Sequence, residues 1–235
     1  MLAVQPATGA VLGCLAQEPL VRIPAPQREG RAQRHTREHR KTDVWMRQVQ
    51  AIGTPDPGRT WVHVGDRGAN LFPFFQACQQ RQTHLLVRAA QNRRGQGQDT
   101  TVDSSLRQAR SWPSQASRPI EVPARHGRTG RATQLQLAWG PLTLLPPRKA
   151  PRAGKEPFTV WVMRVSKAQA PAGEKPLEGV RLPSVPTTRC PGEGARGLVA
   201  TALAGRNSPI ANDKNECAHW LERWGSHTGS PPPRW

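Results

Sequence analysis

Apolar positions along the chain come in short runs, some spaced by two and some by three or four, separated by clusters of Gly, Pro, Asp and Ser. Leu2 to Val4 and the apolar run Ala10 to Ala16 flank Pro6-Ala7-Thr8-Gly9, which predicts a hairpin of two strands. Asp43 stands where an N-cap would. Val44, Trp45, Val49 and Ile52 follow near helical spacing until Gly53 and the breaker-rich Thr54-Pro55-Asp56-Pro57-Gly58, so one helix with a defined end is expected. Thr60-Trp61-Val62-His63-Val64 reads as a buried strand that delivers Asp66 to its C-terminal edge. Leu71 to Gln80 is helical after an early proline, and Thr83 to Val87 is again a strand. Strands alternating with helices place this block in the α/β class.

After Arg88 the character changes. Gln91 to Arg118 is polar and rich in Gln, Arg and Ser, which predicts a flexible loop. Strand-length runs follow at Pro119 to Val122, Ala132 to Trp139, Leu142 to Leu145 and Phe158 to Val165. Trp139-Gly140-Pro141 and Pro151-Arg152-Ala153-Gly154 read as turns between them, so an antiparallel β unit is expected. From Thr187 neither period persists, and the end, Ser230-Pro231-Pro232-Pro233-Arg234-Trp235, suits no packed element.

Composition changes the picture in two ways. First, 34 Lys and Arg against 16 Asp and Glu in 235 residues give a net charge of +18, of which residues 1–186 carry +16. Such an excess, mostly arginine, fits a polyanionic partner, because a guanidinium forks two donors onto a phosphate and displaces counterions. A GC-rich coding sequence that overuses Arg, Ala, Gly and Pro is the plainer explanation. Second, four scattered cysteines with no CxxC indicate neither a zinc site nor a disulfide framework, and point to a reducing cytoplasm. No apolar run is long enough for a membrane span or a secretion signal.

The residues Trp61-Val62-His63-Val64-Gly65-Asp66-Arg67-Gly68-Ala69-Asn70-Leu71-Phe72-Pro73-Phe74-Phe75, the strand with its basic end at 83–94, and the later LTLLPPRKAP, EPFTVWVMRV and EKPLEGVRLPSVP closely resemble the core of bacterial DDE transposases of the insertion-sequence-four group, relatives of the transposon-five enzyme. The resemblance covers residues 1–186. It implies a ribonuclease-H-like fold and a chemistry of DNA strand hydrolysis and strand transfer, in which two Mg2+ ions are held by three converging carboxylates. By resemblance Asp66 is the second of the three, a catalytic and metal-binding residue; a turn-capping aspartate is the plainer alternative. Arg88, Arg93 and Arg94 lie in a stretch that the resemblance sets along DNA, and solvation is the alternative for each. Double-stranded transposon-end DNA, and a dimer with a full-length transposase, are the implied partners. The implied location is the bacterial cytoplasm, at the nucleoid.

The other two carboxylates are not found. No Asp precedes Asp43, so the strand bearing the family's first aspartate is expected to be absent. The third sits in Tyr-x2-Arg-x3-Glu-x6-Lys, which a chain without Tyr cannot contain. Glu222 would need Arg and Lys at Ala218 and Gly229; Glu216 would need Arg at Asn212, with Arg223 at the Lys position. With the departures at Gly179, Arg181 and Pro183, this suggests a frameshift near 187–190 and an out-of-frame tail.

The resulting expectation is α/β: an incomplete ribonuclease-H-like core at 1–95 without its central strand, an inserted antiparallel β subdomain at 96–186, and a disordered tail at 187–235. Loss of the strand that joins residues 2–17 to 60–87 leaves two unpaired edges, which either meet or leave the sheet divided, and predicts marginal stability. The function expected is that of a transposase fragment inactive alone; the alternatives are a non-catalytic basic DNA-binding protein or inhibitor of a full-length transposase, and a ribosomal-type RNA-binding protein. His63 is expected to be packed rather than a ligand, and Trp45, Trp61, Trp139 and Trp161 to be core.

Overall fold

The computed structural model describes residues 1–5, 10–19, 30, 33, 43–99, 101–122, 130–148, 154–167 and 178–185. The turn at 6–9, most of the basic stretch 28–41, the 151–153 part of the later turn and the tail from 187 lie outside the described residues. Strands β1 (Leu2–Val4) and β2 (Val11–Cys14) form an antiparallel hairpin in register Leu2↔Cys14, with a bulge after Ala3. Among the described residues the hairpin is a two-stranded sheet of its own, not bonded to the larger sheet. Helix α1 (Asp43–Ile52) keeps to its expected span: Asp43 is its first residue, and Gly53, at φ +89°, closes it with its N–H on the Val49 carbonyl. Arg47 pairs with Glu18, tying the chain beyond the hairpin to α1.

The other described strands build one eight-stranded sheet. Its strands are β3 (Val62–Gly65), β4 (His84–Arg88), β5 (Arg94–Gln96), β6 (Val102–Ser104), β7 (Ala116–Val122), β8 (Arg131–Leu144), β9 (Phe158–Lys167) and β10 (Glu178–Pro183). They lie in the order β3-β4-β10-β9-β8-β5-β6, with β7 added on β8. Among the described strands β3 and β4 alone are parallel, in register Val62↔His84 through Gly65↔Val87, and helix α2 (Phe72–Gln80) lies between them in the chain. Pro73 sits in the first turn of α2, where its missing N–H has no helical partner to lose. The architecture is mixed α/β on a mostly antiparallel sheet. Strand β5 straddles residue 95, so the sheet runs through the expected boundary between the two segments.

Two local expectations are corrected. The polar stretch from Gln91 to Arg118 is structured: it holds β5, β6, the start of β7 and helix α3 (Ser105–Ser111). Side chains supply what the low hydrophobicity lacks. Ser104 Oγ accepts from Arg107 N, Asn92 Oδ1 accepts from Leu106 N at 3.0 Å, and Gln108 Nε2 donates to the Gly95 carbonyl at 3.0 Å. Leu106, Ala109 and Trp112, three apart, turn one face to the core. Next, Trp139-Gly140-Pro141 is not a turn, because β8 runs through it, paired with β9 from Leu135↔Lys167 to Leu144↔Phe158. Pro141 falls between the β8 residues bonded to β7 and those bonded to β5, where β9 is the only neighbouring strand. Glu178–Pro183, despite its Gly, Arg and Pro, is a strand, and it joins β4 to β9.

The core lies between the sheet and the helices. Phe72, Phe74, Phe75, Ala77 and Cys78 of α2 pack with Leu85, Val87, Leu142, Val160, Val162 and Leu182. Phe75 packs on Phe158 with ring centroids 5.5 Å apart and the rings tilted, joining α2 to the start of β9. A smaller cluster of Leu135, Leu137 and Val165, with Ile120 and Trp139 against it, holds the far end of the long strands. Among the described residues no helix is long and apolar enough to cross a membrane.

Candidate functional site

Asp66 lies one residue past the C-terminal end of β3, where the chain leaves the parallel pair. It is exposed and N-caps a short 3-10 turn (Arg67–Ala69): its Oδ1 accepts from Gly68 N at 2.7 Å. The turn is close-packed. A Cβ on Gly65 would lie 2.4 Å from the Ala69 Cβ, so glycine is required there. A Cβ on Gly68 would stand 3.0 Å from Asp66 Oδ1 and 3.3 Å from Trp45 Nε1, which brings the α1 indole beside the turn. Trp45 also meets Phe74 edge-on at 6.1 Å.

Asn70 closes the turn and is 1% exposed. Its Nδ2 donates to the Arg88 carbonyl at the end of β4 (3.2 Å), and its Oδ1 accepts from Arg93 Nε (3.0 Å). The Asn70 carbonyl takes a second bond from Arg93 Nη2 at 2.6 Å. The phosphate contact expected at Arg93 is therefore corrected: the residue is 8% exposed, its guanidinium lies 5.5 Å over the Phe75 ring, and burial brings its pKa down to about 10. The three arginines do not share a surface. Arg88 is half-buried at the end of β4, while Arg94 is exposed at the start of β5.

His63 is packed. It faces inward from β3, edge-on to Phe74 at 6.4 Å, with Nε2 buried and unbonded, and burial lowers its pKa. Trp45, Trp139 and Trp161 are half-buried and the first two pack against the core clusters; Trp61 is half-buried. Cys78 is buried, which pushes its thiol up to about 12 against the bond from Thr83, so it is no nucleophile.

Two Mg2+ ions need several hard oxygens converging on one point. Among the described residues no three of His, Cys, Asp or Glu come together to hold a metal, and Asp66 is the one implied ligand within them. The described residues do not fit the two-ion set, and no chemical step follows from them. Sequence reasoning missed Asn70 and Trp45 as parts of this site. Asn70 was marked only by standing four residues beyond Asp66, and Trp45 by nothing local, since the fold brings α1 to the turn. Comparison with protein families and with curated proteins finds no match to the chain.

Proposed function

We infer that the chain is a remnant of a DDE transposase of the insertion-sequence-four group, a DNA-binding descendant of a metal-dependent strand-cutting enzyme that does not cut alone. One observation carries the reading: an exposed aspartate at the C-terminal end of a strand in a parallel pair, followed by a capped turn and a helix packed back on that pair. This is the arrangement that the strand, Asp66, Arg67-Gly68 and helix sequence implies by resemblance, within a ribonuclease-H-like core. The net charge of +16 in residues 1–186 supports DNA as the partner. Arg94, exposed on β5, and Arg107, 81% exposed on α3, are available to phosphates, although Arg107 also stands 3.4 Å from Asp103.

One carboxylate does not hold two hard ions against their hydration shells. Supercoiled plasmid incubated with the chain in Mg2+ and then Mn2+ is expected to stay closed. Nicking that disappears in Asp66→Ala would overturn the inactive reading. The same charge supports a second reading, a basic protein that occupies transposon ends or pairs with a full-length transposase. It differs from a mere remnant in requiring measurable DNA affinity.

A further inference from the structure

We propose that Arg93 is a positioning residue, a buried clasp that fixes the Asp66 turn through Asn70. The proposal takes its purpose from the reading of Asp66 as the descendant of a working carboxylate, but the clasp is testable without that reading. A guanidinium is a costly group to bury, and interiors normally accept one only beside a carboxylate. Among the described residues no ion pair reaches Arg93; its contacts are the Asn70 amide oxygen, the Asn70 carbonyl and the Phe75 face. An apolar side chain would pack against Phe75 without that cost. A planar fork of donors holds both acceptors of one residue at once, with little rotamer freedom left to lose.

The residue held in this way sets the geometry of the site. Asn70 is the C-cap of the turn whose N-cap is Asp66, so the turn is fixed at one end by the Asp66 Oδ1 bond to Gly68 and at the other by Arg93. Arg93 is itself anchored. Its N–H donates to Ser105 Oγ at 3.1 Å, and its carbonyl accepts from Ser105 N at 2.7 Å, which ties it to the start of α3. Through Asn70 Nδ2 the clasp also reaches the end of β4. Arg93 thus joins four elements at the point where Asp66 leaves the sheet, and releasing it frees the turn without removing any residue from it.

The test uses amide hydrogen exchange on the full chain, read at Gly68 against the amides of β9. Arg93→Met is expected to raise the Gly68 exchange rate by at least about tenfold relative to β9. Asn70→Asp keeps both acceptors and gives Arg93 a counter-charge while losing the Nδ2 bond to the Arg88 carbonyl, and is expected to raise Gly68 exchange clearly less than Arg93→Met does. Leu182→Ala, in the core but not in contact with Arg93, removes packing but no hydrogen bond, and is expected to lower Tm while leaving Gly68 relative to β9 unchanged. A merely structural Arg93 would make Arg93→Met behave like Leu182→Ala, and that result overturns the proposal. Should Arg93→Met not fold, Asn70→Ala removes the Oδ1 acceptor and is judged by the same ratio. DNA binding separates the two claims. Loss of wild-type binding would count against the transposase reading and leave the Gly68 result standing, whereas an unchanged Gly68 with binding intact would do the reverse.

Discussion

Val62-His63-Val64 on β3 and Val160-Trp161-Val162 on β9 have the same pattern, an aromatic ring between two valines, yet opposite faces are buried. On β9 both valines are fully buried and the indole is half-exposed. On β3 the imidazole is buried, and the valines are 37% and 54% exposed. Neighbours account for the difference. Strand β9 lies between β8 and β10 in the middle of the sheet, whereas β3 is an edge strand, bonded to β4 alone among the described residues, and the aromatic face of α2 covers its His63 side. Alternation fixes that two faces differ, and the rest of the fold decides which one is dry. The Asp66 site thus grows from an edge strand with one face open to solvent.

The comparison breaks most visibly at the centre. Leu142 is 1% exposed and pairs with Val160, so Leu142→Ala is expected to lower unfolding free energy by about 2–5 kcal/mol in denaturant titration. A loss below about 1 kcal/mol would mean that the middle of the sheet is no better packed than its edge. The pH dependence at β3 is smaller. Burial lowers the His63 pKa in the folded chain, so the unfolded chain takes up that proton first. The stability His63 contributes is therefore intact above about pH 6.5 and declines as pH falls below it. Tm should drop between about pH 7.5 and 5, and His63→Leu should flatten that limb; a Tm indifferent to pH in both chains would place the imidazole in water. The smallest effect is on the open face of the same strand. Val64→Thr should change stability by no more than about 0.5 kcal/mol, and a larger loss would show that this face is covered.

What could be read in advance follows from how local each cause is. Helix α1 was legible because Asp43, the apolar spacing and Gly53 lie within the element itself. Strand β10 was not, because Glu178, Gly179, Arg181 and Pro183 hide the alternation of Val180 and Leu182, and its place between β4 and β9 is a tertiary fact. The ordered stretch from 91 to 118 depends on Ser, Asn and Gln side chains bonding to particular main-chain groups, which composition reads only as polarity. At the site, Asp66 stood out because an acidic residue directly follows a strand and precedes Arg67-Gly68. Arg93 did not, because an arginine followed by Arg94 reads as surface, and only the fold turns one of the two inward.

The central claim, a basic transposase relative that holds DNA, is tested most directly by the affinity of the purified chain for double-stranded DNA over a range of salt concentrations. The account predicts binding at low salt that weakens with a slope in log affinity against log salt of about −3 or steeper, as several phosphates exchange their counterions for arginines. No binding at low salt, or a slope near zero, would contradict it.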